Sequence, residues 1–256
     1  MKKLNRLAVL LATAVSVSSI AYAMPLYYPN GVYLQLNGNA SFMNIKMSSG
    51  GANDSNAIVP AVANTTQNNT VGSFGGEIGY SDDEYPLAVD ISYNNYRKFD
   101  FNRSPVFSPT TYNYNLRSDA SAQTILGNFE IDIRQIKNIE PYVQAGAGIA
   151  YFNNSGKATS TGSDGITYGI SRTYWRFAWQ IGLGVKFTVT PHIMLGIHYN
   201  YVPIGLMHIA WTATEGGGTM RHKINGDLAS NDIGLDIAYY FDPGTPPTPT
   251  LIDNEK

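Results

Sequence analysis

Apolar and polar residues alternate along most of this chain. In GVYLQLNGNASF, Val32, Leu34, Leu36, Ala40 and Phe42 alternate with Tyr33, Gln35, Asn37, Asn39 and Ser41, which is a period of two with one apolar and one wet face. The alternation recurs in GSFGGEIGY (72–80), PLAVDISYNNY (86–96), TILGNFEIDI (124–133), PYVQAGAGIAYF (141–152), WRFAWQIGLGVKF (175–187), PHIMLGIHYNYV (191–202) and DIGLDIAYYF (232–241). The pattern predicts eight strands, each of about ten residues. In the closing strand Ile233, Leu235, Ile237, Tyr239 and Phe241 share the apolar face, and Asp232, Asp236 and Tyr240 lie on the other.

The connections alternate in length. Residues 43–71, 97–119, 153–174 and 203–228 read as long loops rich in Asn, Ser, Thr and Gly, whereas SDDEY, RQIKNIE and TVT read as short turns. Pro86, Pro141 and Pro191 each open the strand after a short turn, where a proline costs no ladder hydrogen bond. The repeated unit is therefore a hairpin followed by a long loop. Residues 1–23 read as a cleaved export signal, with Lys2, Lys3 and Arg6 ahead of LAVLLATAV and the small-residue end AYA. The last stretch, DPGTPPTPTLIDNEK (242–256), breaks off in prolines and reads as a disordered periplasmic tail.

Composition narrows the fold class. Tyr reaches 18 residues, Gly 25 and charged residues only 14%, yet no segment after residue 23 is apolar enough for a membrane-spanning helix. The apolar content is spread over alternating strands instead. Without the leader's three bases the chain carries 14 bases against 19 acids, which excludes nucleic acid as a partner. There is no cysteine, so neither a disulfide framework nor thiolate chemistry is available.

An even set of antiparallel strands, with short turns at one end and long loops at the other, predicts an all-β fold: a transmembrane, eight-stranded, antiparallel up-and-down barrel over 24–241. Only a closed sheet satisfies every backbone amide inside a bilayer. The alternative is a soluble ligand-binding barrel with its faces reversed. Trp175, Phe177, Trp179, Ile181, Leu183, Val185 and Phe187 are too bulky a run for a small lumen. Aromatics also cluster near both strand ends: Phe74, Tyr93, Tyr151, Trp175 and Tyr201 toward the loops, Tyr80, Phe187, Tyr239 and Phe241 toward the turns. Two such girdles suit the two interfaces of a membrane.

PYVQAGAGIAYF, FAWQIGLGVKFTVTPHIMLGIHYNY and the closing DIGLDIAY resemble the small outer-membrane barrels: opacity proteins, OmpX-like proteins, the OmpA transmembrane domain and bacterial surface antigens. The resemblance implies a Gram-negative outer-membrane location and contact with outer-membrane lipid and lipopolysaccharide. It also implies recognition of 232–241 by the barrel-assembly machinery, and a surface-antigen or adhesin role in which the loops meet a host-cell or extracellular ligand. A narrow pore is the second reading and an outer-membrane lipid enzyme the third. The chain departs from the resemblance in continuing 15 residues past the terminal aromatic.

Candidate chemistry follows from strand parity. Glu77, Asp90, Glu130, Asp132, Arg176, Lys186, His198 and Asp236 fall on the lumen face. With Ser81 opposite Pro86, Glu77 faces Asp90, and Arg176 or Lys186 is expected to bridge the two; a solvated neutral plug is the alternative. Arg97, Lys98, Arg103, Arg117, Arg172, Arg221 and Lys223 make the loop end positive, toward lipopolysaccharide phosphates or, with Tyr112 and Tyr114, toward an acidic glycan or host protein. The glycines of GSFGGEIG and AGAG lie inside strands and read as room for a packed lumen rather than as a phosphate loop. His198 two residues before Asn200 resembles part of a lipid A deacylase motif, but the required serine is missing. No catalytic residue, cofactor or metal site is therefore expected; His192, His198, His208 and His222 lack ligand spacing.

Overall fold

The computed structural model describes residues 30–52, 57–58, 66–82, 86–103, 106–107, 112–133, 139–160, 166–215 and 218–241. The expected export signal (1–23) and proline-rich tail (242–256) lie outside the described residues. In chain order the strands are β1 (Gly31–Ala52), β2 (Ala57–Ile58), β3 (Thr66–Asp82), β4 (Leu87–Arg103), β5 (Val106–Phe107), β6 (Tyr112–Asp132), β7 (Ile139–Ser160), β8 (Thr167–Thr190), β9 (Ile193–Glu215) and β10 (Gly218–Tyr240). The eight long ones form an antiparallel meander that closes when β10 pairs with β1. β2 and β5 are two-residue ribbons on β1 and β6.

The expected alternation places its side chains as the period dictates. Leu34, Leu36, Ile78, Ile91, Phe177, Ile181, Leu183 and Leu235 are exposed on the outer wall, while Gln35, Asn37, Asp90, Asn128, Gln180, Asn200 and Asp236 are buried inside. Tyr151 packs on Trp175 at 4.8 Å between ring centroids, Trp179 on Tyr201 at 5.9 Å, and Tyr239 on Phe241 at 5.4 Å. Both girdles are thus made of aromatics that touch.

The strands are about twice the expected length. They run from 17 residues in β3 and β4 to 24 in β8. The segments 43–71, 97–119, 153–174 and 203–228, expected as loops, largely continue the ladders instead: β9 ends at Glu215 and β10 begins at Gly218. A 23-residue strand rises roughly 75 Å along its axis, or about 55 Å of barrel height at the usual tilt, against an apolar band of about 25 Å. More than half of the wall therefore stands outside the membrane. The expectation that each proline opens a strand also needs correction at Pro141: β7 begins two residues earlier, at Ile139, and the Pro141 carbonyl accepts a hydrogen bond from the Ile133 amide at 2.7 Å.

The wall changes character above the girdle. Registered pairing of β3 with β4 stops at Ser73↔Tyr96, and that of β8 with β9 stops at Ile181↔Tyr201. The other pairings continue far above, to Arg103↔Leu116, Tyr114↔Ser160, Thr159↔Thr167 and Gly218↔Glu215. The closed barrel thus parts at two seams into two four-stranded leaves, β4-β6-β7-β8 and β9-β10-β1-β3. Tyr96, Phe99, Leu116, Leu126, Phe152 and Ile170 from the first leaf join one apolar cluster with Met43, Ile45, Val202, Ile204, Met207, Ile209, Ile224 and Leu228 from the second. This is a sheet-on-sheet packing with a dry core.

Two bulges make the core possible. On β4 the register slips between Tyr96 and Phe99, so Arg97 and Lys98 are both exposed while Tyr96 and Phe99 are both buried. On β9 the slip falls at Pro203–Gly205, opposite Leu228 and Ala229, and Gly205 has φ +103°. A side chain there would be strained, so glycine lets Ile204 and Met207 both face inward. Pro203 lies beside the bulge, where a missing N–H is tolerated.

Candidate functional site

The interior is built in three layers. At the turn end Tyr33, Ala88, Met194, Ala238 and Tyr240 form a small apolar cluster, with Tyr33 and Tyr240 at 5.3 Å. The middle layer is polar and the top is the dry core. The tyrosines fit because glycines face them: a Cβ on Gly79 would come within 2.6 Å of the Tyr33 ring, and one on Gly184 within 2.5 Å of the Tyr142 ring. Gly79 of GSFGGEIG and Gly146 of AGAG, where a Cβ would run into the Asn128 side chain, thus give room inside the lumen.

The polar layer gathers seven carboxylates: Glu77, Asp90, Glu130, Asp132, Glu140, Asp232 and Asp236. Lys186 pairs with Glu130, lies 3.7 Å from Asp132, and holds its ammonium 4.7 Å from the centre of the Tyr142 ring. His198 Nδ1 meets Asp236 Oδ2 at 2.9 Å. Neutral donors serve three of the others. Asp90 accepts from Asn128 at 2.5 Å, Glu77 from Gln35 at 3.1 Å and Asn37 at 3.4 Å, and Asp232 from the Tyr96 hydroxyl at 2.8 Å. Gln180 then donates to Asn128 at 2.7 Å, and Gln144 to Asn200 at 2.6 Å. Buried polar groups need such partners, and here most lie on the neighbouring strand or the next but one, with the Tyr96–Asp232 bond crossing the lumen.

Two sequence expectations fail in this layer. Glu77 does not face Asp90: the β3–β4 register is centred one residue later than expected, Ser81 pairs with Ala88, and Glu77 stands opposite Ser92 and Gln35. Nor does a base bridge that pair. Lys186 serves Glu130 and Asp132, nearer the turn end. Arg176 lies far above, donating from Nε to the Leu206 carbonyl at 3.3 Å and stacking 5.1 Å from the centre of Tyr174. Glu140 was read as part of a turn, but it is the second residue of β7 and points inward with Tyr142.

Arg176 belongs to the β8/β9 seam. Tyr174 stacks on Phe152 at 5.1 Å, lies under Arg172 at 6.0 Å, and its hydroxyl accepts from the His208 amide at 2.8 Å. Burial pushes the Tyr174 phenol up, an effect partly offset by that backbone bond and by Arg176 and Arg172. Side chains thus close this seam where backbone pairing ends. The β3/β4 seam is closed similarly, with Gln67 and Asn69 both donating to the Asp100 carbonyl, at 2.9 and 2.8 Å.

The expected basic rim is not one ring. Arg97 and Lys98 stand side by side on the outer wall at their bulge. Arg117 is exposed higher up, directly across from exposed Lys157, whereas Arg172 turns inward onto Tyr174. The side chains of Arg103, Tyr112, Tyr114, Arg221 and Lys223 lie outside the described residues.

A closed, lipid-faced barrel agrees with the family comparison. The model of a family described as outer membrane protein beta-barrel domain matches residues 7–244. The chain belongs to that family. It is similar to the outer membrane protein PagN of Salmonella typhimurium, at 26% identity over 184 residues spanning 69% of this chain and 77% of the relative. Among solved structures it is similar to Neisserial surface protein A (TM-score 0.42, 16% identity, 83% of this chain and 98% of that one). It is also similar to the outer membrane protease OmpT of Escherichia coli (TM-score 0.46, 9% identity, 85% and 99%).

This member of the family is an integral protein of the bacterial outer membrane that holds long β-hairpins above the surface. Its polar layer is buried and hydrogen-bonded. His198 and Asp236 resemble two parts of a relay, but the His198 ring is packed against Gly234, where a Cβ would come within 2.6 Å of it. Among the described residues, no group of three His, Cys, Asp or Glu side chains is arranged to hold a metal ion.

Proposed function

We propose that this protein is a closed outer-membrane scaffold whose extracellular leaves carry a contact surface for an external partner, in the manner of a surface antigen or adhesin, and that it is neither a pore nor an enzyme. The observation that carries this reading is the dry core: Ile45, Leu116, Leu126, Ile204 and Ile209 are each 0% exposed in the middle of what would be the conduction path. A core at native density leaves few voids larger than a water molecule. Function then falls to the outside of the leaves.

The outer face offers a chemistry for that partner. Arg117 and Lys157 are an exposed like-charge cross-strand pair, an arrangement that costs stability without a counter-ion and gains from an acidic ligand. An acidic glycan or an acidic protein surface fits it. The test displays R117Q/K157Q on cells and measures adhesion to surfaces coated with an acidic polysaccharide. The reading expects adhesion to fall several-fold, while heat-modifiable gel migration shows the barrel folded. Undiminished adhesion by the folded variant would overturn the choice of this pair as the contact surface.

A further inference from the structure

The two leaves have four strand edges above the girdle, and three of them are blunted in the ways that keep an edge from taking up another strand. β4 carries a bulge and the charges of Arg97, Lys98 and Asp100. β9 carries Pro203 and the Gly205 bulge. β8 lays the Tyr174 hydroxyl against the His208 amide of β9 and the Arg176 guanidinium against the Leu206 carbonyl. β3 has none of these devices. Among the described residues its upper stretch, Gln67–Gly72, pairs with β1 in unbroken register and has no registered partner on the β4 side. That stretch contains neither a charge nor a proline.

The seam beside this edge is bridged by side chains instead of a ladder. Gln67 and Asn69 both donate from their amides to one β4 carbonyl, that of Asp100, and so stand where the N–H groups of a neighbouring strand would be. The Gln67 Oε1 is buried and accepts no hydrogen bond among the described residues. A main-chain N–H arriving in the seam would satisfy it. A strand laid here meets two different flanks: inward, Val71 packs against the cluster that holds Tyr96 and Phe99; outward, Asn68 and Thr70 are exposed on β3, and Arg97 and Lys98 on β4.

We infer that the Gln67–Gly72 edge takes up an extended segment of an extracellular partner protein as an added strand. Main-chain bonds to such an edge give affinity and alternate side chains give specificity, so the segment alternates apolar residues, turned toward Val71 and Phe99, with acidic ones at the level of Arg97 and Lys98. A second copy in the same membrane fits poorly. Barrel strands tilt by roughly 40°, and a twofold axis along the membrane normal gives the two β3 edges opposite tilts. The inference rests on the reading of the leaves as a contact surface for an external partner, but not on Arg117 and Lys157, so the two can fail separately.

The test follows backbone amide exchange, residue by residue by NMR, in the refolded barrel in phosphatidylcholine nanodiscs, with and without a soluble peptide that alternates valine and glutamate over the length of the edge. In the protein alone, the Gln67–Gly72 amides that face the seam are expected to exchange faster than those that face β1. With the peptide they are expected to slow about tenfold, the effect of one added hydrogen bond each, while the β8 and β9 edges stay unchanged. The same peptide methylated on its amide nitrogens keeps both faces and is expected to protect nothing. R117Q/K157Q is expected to leave the peptide effect intact even where adhesion to polysaccharide falls. Uniformly slow exchange across Gln67–Gly72 in the protein alone, or no change with the peptide at millimolar concentration, would overturn the open edge. Equal protection by the methylated peptide would replace strand addition with side-chain contact, and protection that rises with barrel concentration in the absence of peptide would replace the partner with a second copy.

Discussion

Below the girdle the wall is apolar outside and polar inside; above it, the same eight strands are polar outside and apolar inside. Leu36, Ile78 and Leu235 face lipid while Asn37, Asn128 and Asp236 fill the lumen, but Asn44, Lys46 and Arg117 face water while Met43, Ile45 and Leu116 fill the core. The strands run on across the boundary, although two seams open there and two bulges shift the register. The solvent changes there, and the side chains invert with it, because apolar surface is removed from water wherever water is. One chain is thus a membrane barrel and, continuous with it, a two-leaved β-sandwich of the ordinary kind.

The two interiors are held by different physics, so they break differently. The largest expected loss is in the dry core: Phe152→Ala deletes a 1%-exposed ring stacked on Tyr174 and is expected to cost about 4 kcal/mol, read as a lower urea midpoint in lipid vesicles. Lys186→Met in the polar layer is expected to cost about 3 kcal/mol, because it leaves Glu130 and Asp132 buried without their cation. Adding E130Q and D132N should recover most of that loss. No such rescue exists for Phe152, and failure of the rescue would mean that Lys186 acts by packing rather than by charge. Gly184→Ala is expected to cost roughly 2 kcal/mol through the clash with Tyr142. Y142A added to G184A should relieve the clash and leave only the lost ring.

The lower half was legible from period two alone, since lipid outside makes every second residue apolar without interruption. The upper half was concealed by the inversion itself. At Phe42–Met43, Ile125–Leu126, Tyr151–Phe152 and Tyr201–Val202 two apolar residues stand side by side, one facing out and the next facing in. A reading for strict alternation ends the strand at such a pair, and three of the four expected loops begin within two residues of one. The Arg97–Lys98 and Ile204–Gly205 bulges then flip the parity again, and the Asn- and Ser-rich outer faces look like loop composition. Site residues were legible as a lumen set but not as partners. A hairpin register centred one residue later than assumed moved Glu77 from Asp90 to Ser92, and of the two bases Lys186 went to the acids at its own height while Arg176 went to the Leu206 carbonyl and the Tyr174 ring.

The central claim, that the extracellular leaves close the barrel with a dry core, is tested most directly by single-channel recording of the refolded barrel in a planar bilayer, with heat-modifiable gel migration confirming the fold. The account predicts a silent barrel at every voltage that the bilayer tolerates. A steady conductance that changes when Lys186 or Glu77 is neutralised would mean that water runs the length of the lumen, and would contradict it.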